Sequence, residues 1–136
     1  MTNPYAIGIV MDAISTINVK KDSTFAMMLE AQRRGCPLFH ILQGDLFVDN
    51  GVVYAQMNPV TVRDDPHDWY TFGAAQPRPL HELPVVLMRK DPPFDMEYIY
   101  STYLLELVQI RGTLVINRPE SIRAATEKLF ATWFPQ

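Results

Sequence analysis

The residues best suited to chemistry lie in one short segment, Val85 to Asp95, which reads V-V-L-M-R-K-D-P-P-F-D. The apolar residues at its start are typical of a strand buried on both faces of a parallel sheet. Arg89, Lys90 and Asp91 follow where this strand would leave the core, and Pro92-Pro93 prevents regular structure from continuing. Ligands of open α/β sheets bind beyond the carboxyl ends of the strands. We therefore predict an anion-binding site at Arg89 and Lys90, with a solvated turn of ordinary surface charges as the alternative.

A second polar group follows the first predicted strand. Residues 6–11 form a short apolar run that ends at Asp12, and the next loop carries Ser15 and Asn18. Because the carboxyl ends of parallel strands meet at one edge of a sheet, Asp12 is expected on the same side as Arg89.

The elements that must hold these residues begin with a strand–helix–strand unit. A helix is predicted over about Ser23–Arg34, with Asp22 or Ser23 as its N-cap. Residues 37–42 give the second strand. His40 lies within that strand, and we expect a hydrogen-bonded core residue there rather than a ligand.

The middle of the chain contains turn signals and a long polar connection. Asn50-Gly51 lies between two apolar segments and predicts a β-hairpin. Asn58–Val62 is expected to add a separate short strand. Arg63–Leu83 is long and polar, which is typical of a connection that is functional, partly structured or mobile.

The second half is predicted to contain two further helices around a strand. Asp95 caps the first of these helices, and its buried stripe is predicted to consist of six apolar residues: Met96, Ile99, Tyr100, Tyr103, Leu104 and Leu107. Leu114–Ile116 forms the strand, and Pro119 begins a third helix whose apolar face holds Ile122, Ala125 and Leu129. This order predicts an α/β fold with a mainly parallel sheet, helices on both faces and a small β-hairpin insertion.

Composition narrows the class of protein. A chain of 136 residues is the natural length of one domain, and its net charge of −3 argues against a nucleic-acid binder. No apolar run approaches the length of a membrane span, and the N-terminus lacks the pattern of a signal peptide. The single cysteine, Cys36, cannot form an internal disulfide, which suits a reducing compartment. A cytoplasmic protein without nucleic-acid or membrane partners is expected.

Several common catalytic motifs are absent from the sequence. The six glycines form neither G-x-G-x-x-G nor G-x-x-x-x-G-K-[ST], and there is no G-x-S-x-G element. No His, Cys or carboxylate pair has the spacing of metal ligands, so we expect no protein-built metal site. A phosphorylatable receiver domain would need clustered acids at the first strand end, where Asp12 stands alone. The residues alone indicate a nucleotide-domain-like shape without a complete catalytic set.

Six longer motifs carry a family resemblance. They are G-I-V-M-D (8–12), I-N-V-K-K-D-S-T-F-A-M (17–27), L-E-A-Q-R-R-G (29–35), M-R-K-D-P-P-F-D (88–95), N-R-P-E-S-I-R (117–123) and E-K-L-F (127–130). With them the chain resembles the N-terminal domain of prokaryotic glutathione synthetases over nearly its whole length. The resemblance implies a three-layer preATP-grasp (Rossmann-like) fold and an ATP-grasp ligase. With ATP and Mg²⁺, such a ligase activates γ-glutamylcysteine as an acyl phosphate, which glycine then attacks to give glutathione.

The resemblance also implies roles for individual residues. Arg89 is the first candidate for binding the anionic substrate, because a guanidinium binds a carboxylate or phosphoryl group in a fork. Asp91 is expected to orient Arg89 or its loop. Asp12, Ser15 and Asn18 form a further substrate-binding group. Lys128 resembles a family lysine that reaches the nucleotide phosphates; an exposed helix lysine is the alternative.

Length is the main departure from the family pattern. The family's glycine-rich ATP loop, magnesium carboxylates and glycine site belong to domains that would follow Gln136. We therefore expect residues 1–136 to form one N-terminal domain that is inactive alone and homo-oligomeric in its full-length form. Trp133 and Phe134, large aromatics beside the end, favour this interpretation. A free-standing α/β binding or regulatory module is one alternative, and another amino-acid ligase of the same superfamily is a second.

Overall fold

The structure is a computed structural model that describes residues 5–91, 93 and 95–116. Two α-helices are α1 (Ser23–Arg33) and α2 (Met96–Ile110). The strands are β1 (Ile7–Val10), β2 (Leu38–Ile41), β3 (Leu46–Asp49), β4 (Val52–Val62), β5 (Tyr70–Phe72), β6 (Gln76–Pro79), β7 (Val85–Met88) and β8 (Leu114–Ile116). Over the described residues they form one sheet with helices on both faces, which confirms the predicted α/β class.

The centre of the sheet is parallel, in the order β2–β1–β7–β8. These four strands are the short apolar runs of the sequence. β1, β2 and β7 are covered on both faces, as such runs predict, whereas Leu114 and Ile116 of β8 are exposed. One face packs against α1, whose Phe25 and Met28 join Ile9 and Met11 in one core cluster. The other face packs against α2, whose Leu105 and other buried side chains join a second cluster. The sheet is thus the middle of three layers.

β4 organises the antiparallel part of the sheet. It pairs with β2, β3, β5 and β6, so its eleven residues run through both halves of this region. The predicted hairpin is confirmed at Asn50 and Gly51, whose φ values of 54° and 80° are both positive, as a type I′ turn requires. Asn58–Val62 is not a separate strand, as we expected, but the second half of β4. No turn residue interrupts the chain between Ala55 and Asn58, so it stays extended.

The long connection Arg63–Leu83 is partly structured. It contains β5, β6 and a 3₁₀ turn at Leu80–Glu82, and it returns the chain to the start of β7. Leu80 and Leu83 are fully buried, so they fix this segment to the core.

Both helices begin where the sequence predicts. The Asp22 carboxylate accepts a hydrogen bond from the Phe25 N–H at 2.8 Å and caps α1, and Asp95 accepts from the Tyr98 N–H at 2.9 Å and caps α2. Residues 117–136 lie outside the described residues, and with them the predicted third helix from Pro119, as well as Trp133 and Phe134. In the part of the chain that is described, no helix has the length and apolarity needed to cross a membrane.

The predicted buried face of α2 is wrong in most of its members. Its buried residues are Tyr98, Ser101, Thr102, Leu104, Leu105 and Val108, whereas Met96, Tyr100, Tyr103 and Leu107 are exposed. The physical reason lies in Ser101 and Thr102. Their hydroxyls donate to the carbonyls of Glu97 (2.9 Å) and Ile99 (2.6 Å) within the helix, so these polar side chains are satisfied and can be buried.

Candidate functional site

The candidate site is built where β1 and β7 end side by side. The two strands are parallel neighbours with Val10 paired to Met88, and the Arg89 N–H extends the pairing by donating to the Val10 carbonyl at 2.8 Å. Asp12 follows β1 after Met11, and Arg89 follows β7 directly. Both side chains therefore lie at the carboxyl edge of the sheet, as the sequence predicts.

Two hydroxyl groups at the start of α1 hold the Arg89 guanidinium. Its Nε donates to Thr24 Oγ1 and its Nη2 donates to Ser23 Oγ, each at 3.0 Å. A guanidinium has five N–H groups, so these two bonds fix its plane and leave further donors for a ligand. The amino end of a helix carries partial positive charge, and Arg89 adds a full one beside it. This arrangement is suited to a carboxylate or phosphoryl oxygen.

Sequence reasoning missed Ser23 and Thr24 as site residues. It placed Ser23 only as a possible helix cap, and the cap is Asp22. The available signal was the shared motif around them, which puts two hydroxyl residues in the first turn of a helix that begins at the carboxyl edge of the sheet.

A small pocket of about 70 Å³ lies among these groups. Its polar lining consists of Asp12, Asp22, Ser23, Thr24, Arg89 and Asp91. A water molecule takes up about 30 Å³ in the liquid, so the pocket has room for a small charged head group but not for a whole peptide. Carboxylates and one guanidinium together suit a group that carries both charges.

Asp12 fastens the loop after β7 to the loop after β1. Its Oδ1 lies 3.0 Å from Lys90 Nζ, and its Oδ2 accepts from the Asp91 N–H at 3.0 Å. Burial by itself raises the pKa of Asp12, but the hydrogen bonds from Asp91 and Lys90 and the ammonium charge outweigh burial, so the pKa is lowered from its ordinary value. The carboxylate is therefore ionised and committed to this contact.

Lys90 has a structural place rather than a place in the pocket. Besides Asp12, its ammonium donates to the Asp91 carbonyl at 2.9 Å, and it is not among the residues that line the cavity. Of the predicted pair, only Arg89 is directed at the pocket. Asp91 lines the pocket too, but Ser23 and Thr24 orient the guanidinium, and the Asp91 main chain fixes the loop.

The other predicted site residues lie elsewhere. Ser15 is exposed in the 3₁₀ turn Ile14–Thr16, and Asn18 Oδ1 accepts from the Lys20 N–H at 3.1 Å in the turn before α1. Neither lines the pocket, although Ile17 between them does. Lys128 lies outside the described residues.

Two buried side chains, those of His40 and Tyr98, interact with residues of the site. His40 Nε2 lies 3.2 Å from the Asp12 carbonyl, and burial lowers the His40 pKa, so the ring is neutral and carries its proton on Nε2. It is the hydrogen-bonded core histidine that the sequence predicts. Burial, reinforced by the charges of Asp91 and Asp12, raises the pKa of the Tyr98 phenol, although the charge of Arg89 opposes the shift. Tyr98 is a third residue that sequence reasoning did not select as part of the site.

Among residues 5–91, 93 and 95–116, no three His, Cys, Asp or Glu side chains converge in a way that could hold a metal ion. The chemistry that these residues supply is recognition of charge.

Comparison with known proteins agrees with the geometry. The family of prokaryotic glutathione synthetase N-terminal domains matches residues 5–123. The chain belongs to this family. The glutathione synthetases of Vibrio vulnificus strain YJ016 and Yersinia pestis are 55% and 54% identical over 130 residues, and that of Escherichia coli O157:H7 is 52% identical over 128 residues. These matches cover 94–96% of this chain. The chain spans 41% of the length of each of these synthetases.

The synthetase family match confirms the resemblance found in the sequence motifs. All residues of the pocket, from Met11 to Asp91, lie inside the matched range, whereas Lys128 lies beyond it.

Proposed function

We propose that this chain is the substrate-side N-terminal domain of a glutathione synthetase, a cytoplasmic ligase that joins γ-glutamylcysteine to glycine at the expense of ATP. Residues 1–136 form this one domain, and the complete enzyme is a homo-oligomer. Membership of the synthetase family supports the proposal. The observation that carries it is the Arg89 guanidinium, held by Ser23 and Thr24 at the amino end of α1 and open to a pocket at the carboxyl edge of the sheet.

The charge pattern of the pocket favours an amino-acid head group. The γ-glutamyl end of γ-glutamylcysteine carries an ammonium and a carboxylate on one carbon. Arg89 and the Ser23 and Thr24 hydroxyls offer donors for the carboxylate, while Asp22 and Asp91 offer acceptors for the ammonium. A pocket of about 70 Å³ fits this head and leaves the cysteinyl end outside. In this proposal, the domain anchors one end of the substrate and orients the other end for reaction.

ATP supplies the phosphoryl group that turns the substrate carboxylate into an acyl phosphate, and Mg²⁺ balances the phosphate charge. The described residues do not fit a magnesium site, because no three of their His, Cys, Asp or Glu side chains could share one metal ion and Asp12 is already paired with Lys90. ATP and Mg²⁺ are therefore assigned to parts of the enzyme outside the described residues, with Lys128 reaching the nucleotide phosphates. The isolated chain is expected to be inactive.

Steady-state kinetics of the native ligase that carries this domain test the proposal. Losing a charged hydrogen bond costs about 1.5–3 kcal/mol, so Arg89→Ala is expected to raise KM for γ-glutamylcysteine about ten- to hundredfold. KM for glycine and ATP should change little. Arg78→Ala is the matched control. Arg78 lies on β6 and pairs with Glu82 of the following 3₁₀ turn, away from the pocket, so its loss should leave all three constants unchanged. Equal kinetics for Arg89→Ala and wild type would overturn the assignment of Arg89.

A free-standing binding module is the second candidate. The observation in its favour is that the pocket is built entirely from residues 11–91, so the chain could bind a charged head group by itself. The mass of the native product in the source cells separates the two. A product much heavier than 15.6 kDa supports the ligase, and a product of 15.6 kDa that binds γ-glutamylcysteine without turnover supports the module.

A further inference from the structure

The loop after β1 forms one wall of the pocket. Residues 11–18 connect β1 to the turn before α1, and Met11, Asp12 and Ile17 line the cavity. Met11 and Ile17 are the apolar residues of a lining that is otherwise polar. The regular part of the loop is the short 3₁₀ turn Ile14–Thr16. Loops are more mobile than the elements that they join, so the shape of this wall depends on contacts that hold it from outside.

Two ring N–H groups from other parts of the chain provide such contacts. The Trp69 indole Nε1–H donates to the Ile14 carbonyl at 2.9 Å. His40 Nε2 donates to the Asp12 carbonyl at 3.2 Å. The Ile17 N–H also donates to the Ile14 carbonyl, but at 3.5 Å, so the indole is the closer of its two donors. The main chain of the loop is thus held at two points on either side of residue 13.

The two donor rings are the ends of a continuous series of four rings. Trp69 contacts Tyr70, whose ring in turn contacts Phe72, with centroids 5.7 and 5.1 Å apart. Phe72 contacts His40, with the centroids 5.2 Å apart. Tilted rings at such distances are favourable aromatic pairs. Because three of the rings lie on β5 or directly before it, β5 holds the loop together with β2.

The turn that carries Trp69 is itself fixed. The Arg63 guanidinium donates to the Asp68 carbonyl at 3.1 Å, to the Asp68 carboxylate at 2.9 Å and to Thr71 Oγ1 at 2.9 Å. The Arg63 N–H also donates to the Trp69 carbonyl at 2.9 Å. Trp69 is half-buried and packs against the core cluster that α1 covers, which includes Ile14. Because its surroundings are fixed, the indole can hold the loop in one position.

We propose that Trp69 is a positioning residue for the pocket. Through its bond to Ile14 it fixes the loop after β1, and with it the apolar wall at Ile17, in the form that accepts the head group of γ-glutamylcysteine. The identity of this head group rests on the proposed function. Trp69 is not among the described residues that line the cavity, so it acts through the loop. A wall that is ordered before binding spares the entropy of ordering it, and this increases affinity.

Steady-state kinetics of Trp69→Phe in the native ligase test the proposal. Phenylalanine keeps an aromatic ring in the series but has no N–H to donate. Because the lost bond acts through the loop, KM for γ-glutamylcysteine should rise by the lower part of the range for a neutral hydrogen bond, about two- to fivefold. The domain anchors one end of the substrate and the reaction takes place at the other, so kcat and the KM values for ATP and glycine should stay unchanged.

Tyr70→Phe is the matched control. It removes one polar atom from the neighbouring ring of the same series and keeps the ring contacts, so all kinetic constants should stay as in wild type. A purely structural role of Trp69 would lower the active fraction of the enzyme, and hence the apparent kcat, without changing KM. A fall in kcat at constant KM, or wild-type kinetics for Trp69→Phe, would therefore overturn the positioning role.

Amide hydrogen exchange gives a readout that needs no catalysis. In the unliganded native protein, Trp69→Phe should speed exchange in the peptide that covers residues 12–18, because their loop loses one of its outside contacts. Exchange in α2, which packs on the other face of the sheet, should match that of wild type. Unchanged exchange in residues 12–18, or an increase of the same size in α2, would contradict a local effect on the loop.

Arg89→Ala distinguishes a wrong role for Trp69 from a wrong substrate. If Arg89→Ala raises KM for γ-glutamylcysteine while Trp69→Phe does not, the positioning role is overturned and the proposed function stands. If neither variant changes this KM, the pocket is not the substrate site, and the proposed function fails together with the role of Trp69.

Discussion

Asp12 and Lys90 form an ion pair that joins the ends of two neighbouring parallel strands, with 3.0 Å between Oδ1 and Nζ. The same carboxylate also accepts from the Asp91 N–H, so the two loops of the site form one unit. Lys90 is thereby withdrawn from ligand binding and Arg89 is left as the cation that faces the pocket.

Asp12→Asn should loosen the loop after β7. The amide removes the charge that Lys90 and the Asp91 N–H recognise, and because the side chain is partly exposed the expected loss is about 1 kcal/mol of unfolding free energy. Urea denaturation measures it, and KM for γ-glutamylcysteine should rise as well. Asp68→Asn breaks the more exposed pair with Arg63 and should cost less than about 0.5 kcal/mol. Equal losses in the two variants would argue against a special role for Asp12.

Thr24→Val should weaken substrate binding without unfolding the domain. Valine has nearly the shape of threonine but cannot accept the Arg89 Nε–H, so the guanidinium loses one of its two fixed bonds. Arg89 keeps its charge and its contact with the substrate and loses only an orienting bond, so we expect a smaller effect than for Arg89→Ala: about 0.5–1.5 kcal/mol, or a two- to tenfold rise in KM for γ-glutamylcysteine. Thr113→Val is the control: its hydroxyl donates to the Leu83 carbonyl at 2.8 Å, so its loss should lower stability and leave KM unchanged.

His40 should make stability fall in mild acid. Burial lowers its pKa in the folded state, while the unfolded chain has the ordinary value of about 6.5. The unfolded state therefore binds the proton more readily, so the stabilisation is complete above about pH 6.5 and is lost as the pH falls below it. Urea midpoints between pH 7.5 and pH 5 should drop in wild type. The drop should be much smaller in His40→Gln, whereas His67→Gln, at an exposed position, should behave as wild type does.

Gly8→Ala should destabilise the centre of the sheet. A Cβ at residue 8 would lie 2.6 Å from Leu83 Cδ1 and 3.2 Å from Ile41 Cδ1, both in fully buried side chains. Forcing a methyl group into packed core costs about 1–3 kcal/mol. Gly44→Ala is the matched control, because nothing lies within 4 Å of its added Cβ. Calorimetric melting that is the same for the two variants would contradict this packing.

The parallel core could be predicted because each of its strands is a short apolar run with a turn or helix signal on both sides. The same signals placed Asp12 and Arg89 at one edge, since parallel strands share a direction. The face of α2 could not be read, because Ser101 and Thr102 bond within the helix and are buried while a full apolar stripe is exposed. Periodicity counts apolar residues but does not tell which of two apolar faces meets the sheet.

The side-chain contacts within the site could not be predicted from the sequence either. Arg89 and Lys90 are adjacent cations on one loop, and only their neighbours in space separate their roles: two hydroxyls 65 and 66 residues away for Arg89, and a carboxylate for Lys90. The Ser23 and Thr24 contacts depend on where α1 begins relative to β7, which is a consequence of the assembled fold. The strands β5 and β6 within Arg63–Leu83 could not be predicted, because they depend on pairing with β4, which is long enough to pair with both.

The register of β1 against β7 sets an order of events during synthesis. Ile7 pairs with Val85, although residues 8–84 lie between them, whereas β3 and β4 meet across a two-residue turn. Local pairings form early and distant ones late, because the entropy of closing a long loop must be overcome first. As the chain leaves the ribosome, the β3–β4 hairpin can form at once, but β1, which precedes Asp12, must wait for β7, which precedes Arg89. The pocket is therefore among the last features of the domain to mature, and a nascent chain stalled before β7 would leave one edge of β1 without its partner strand.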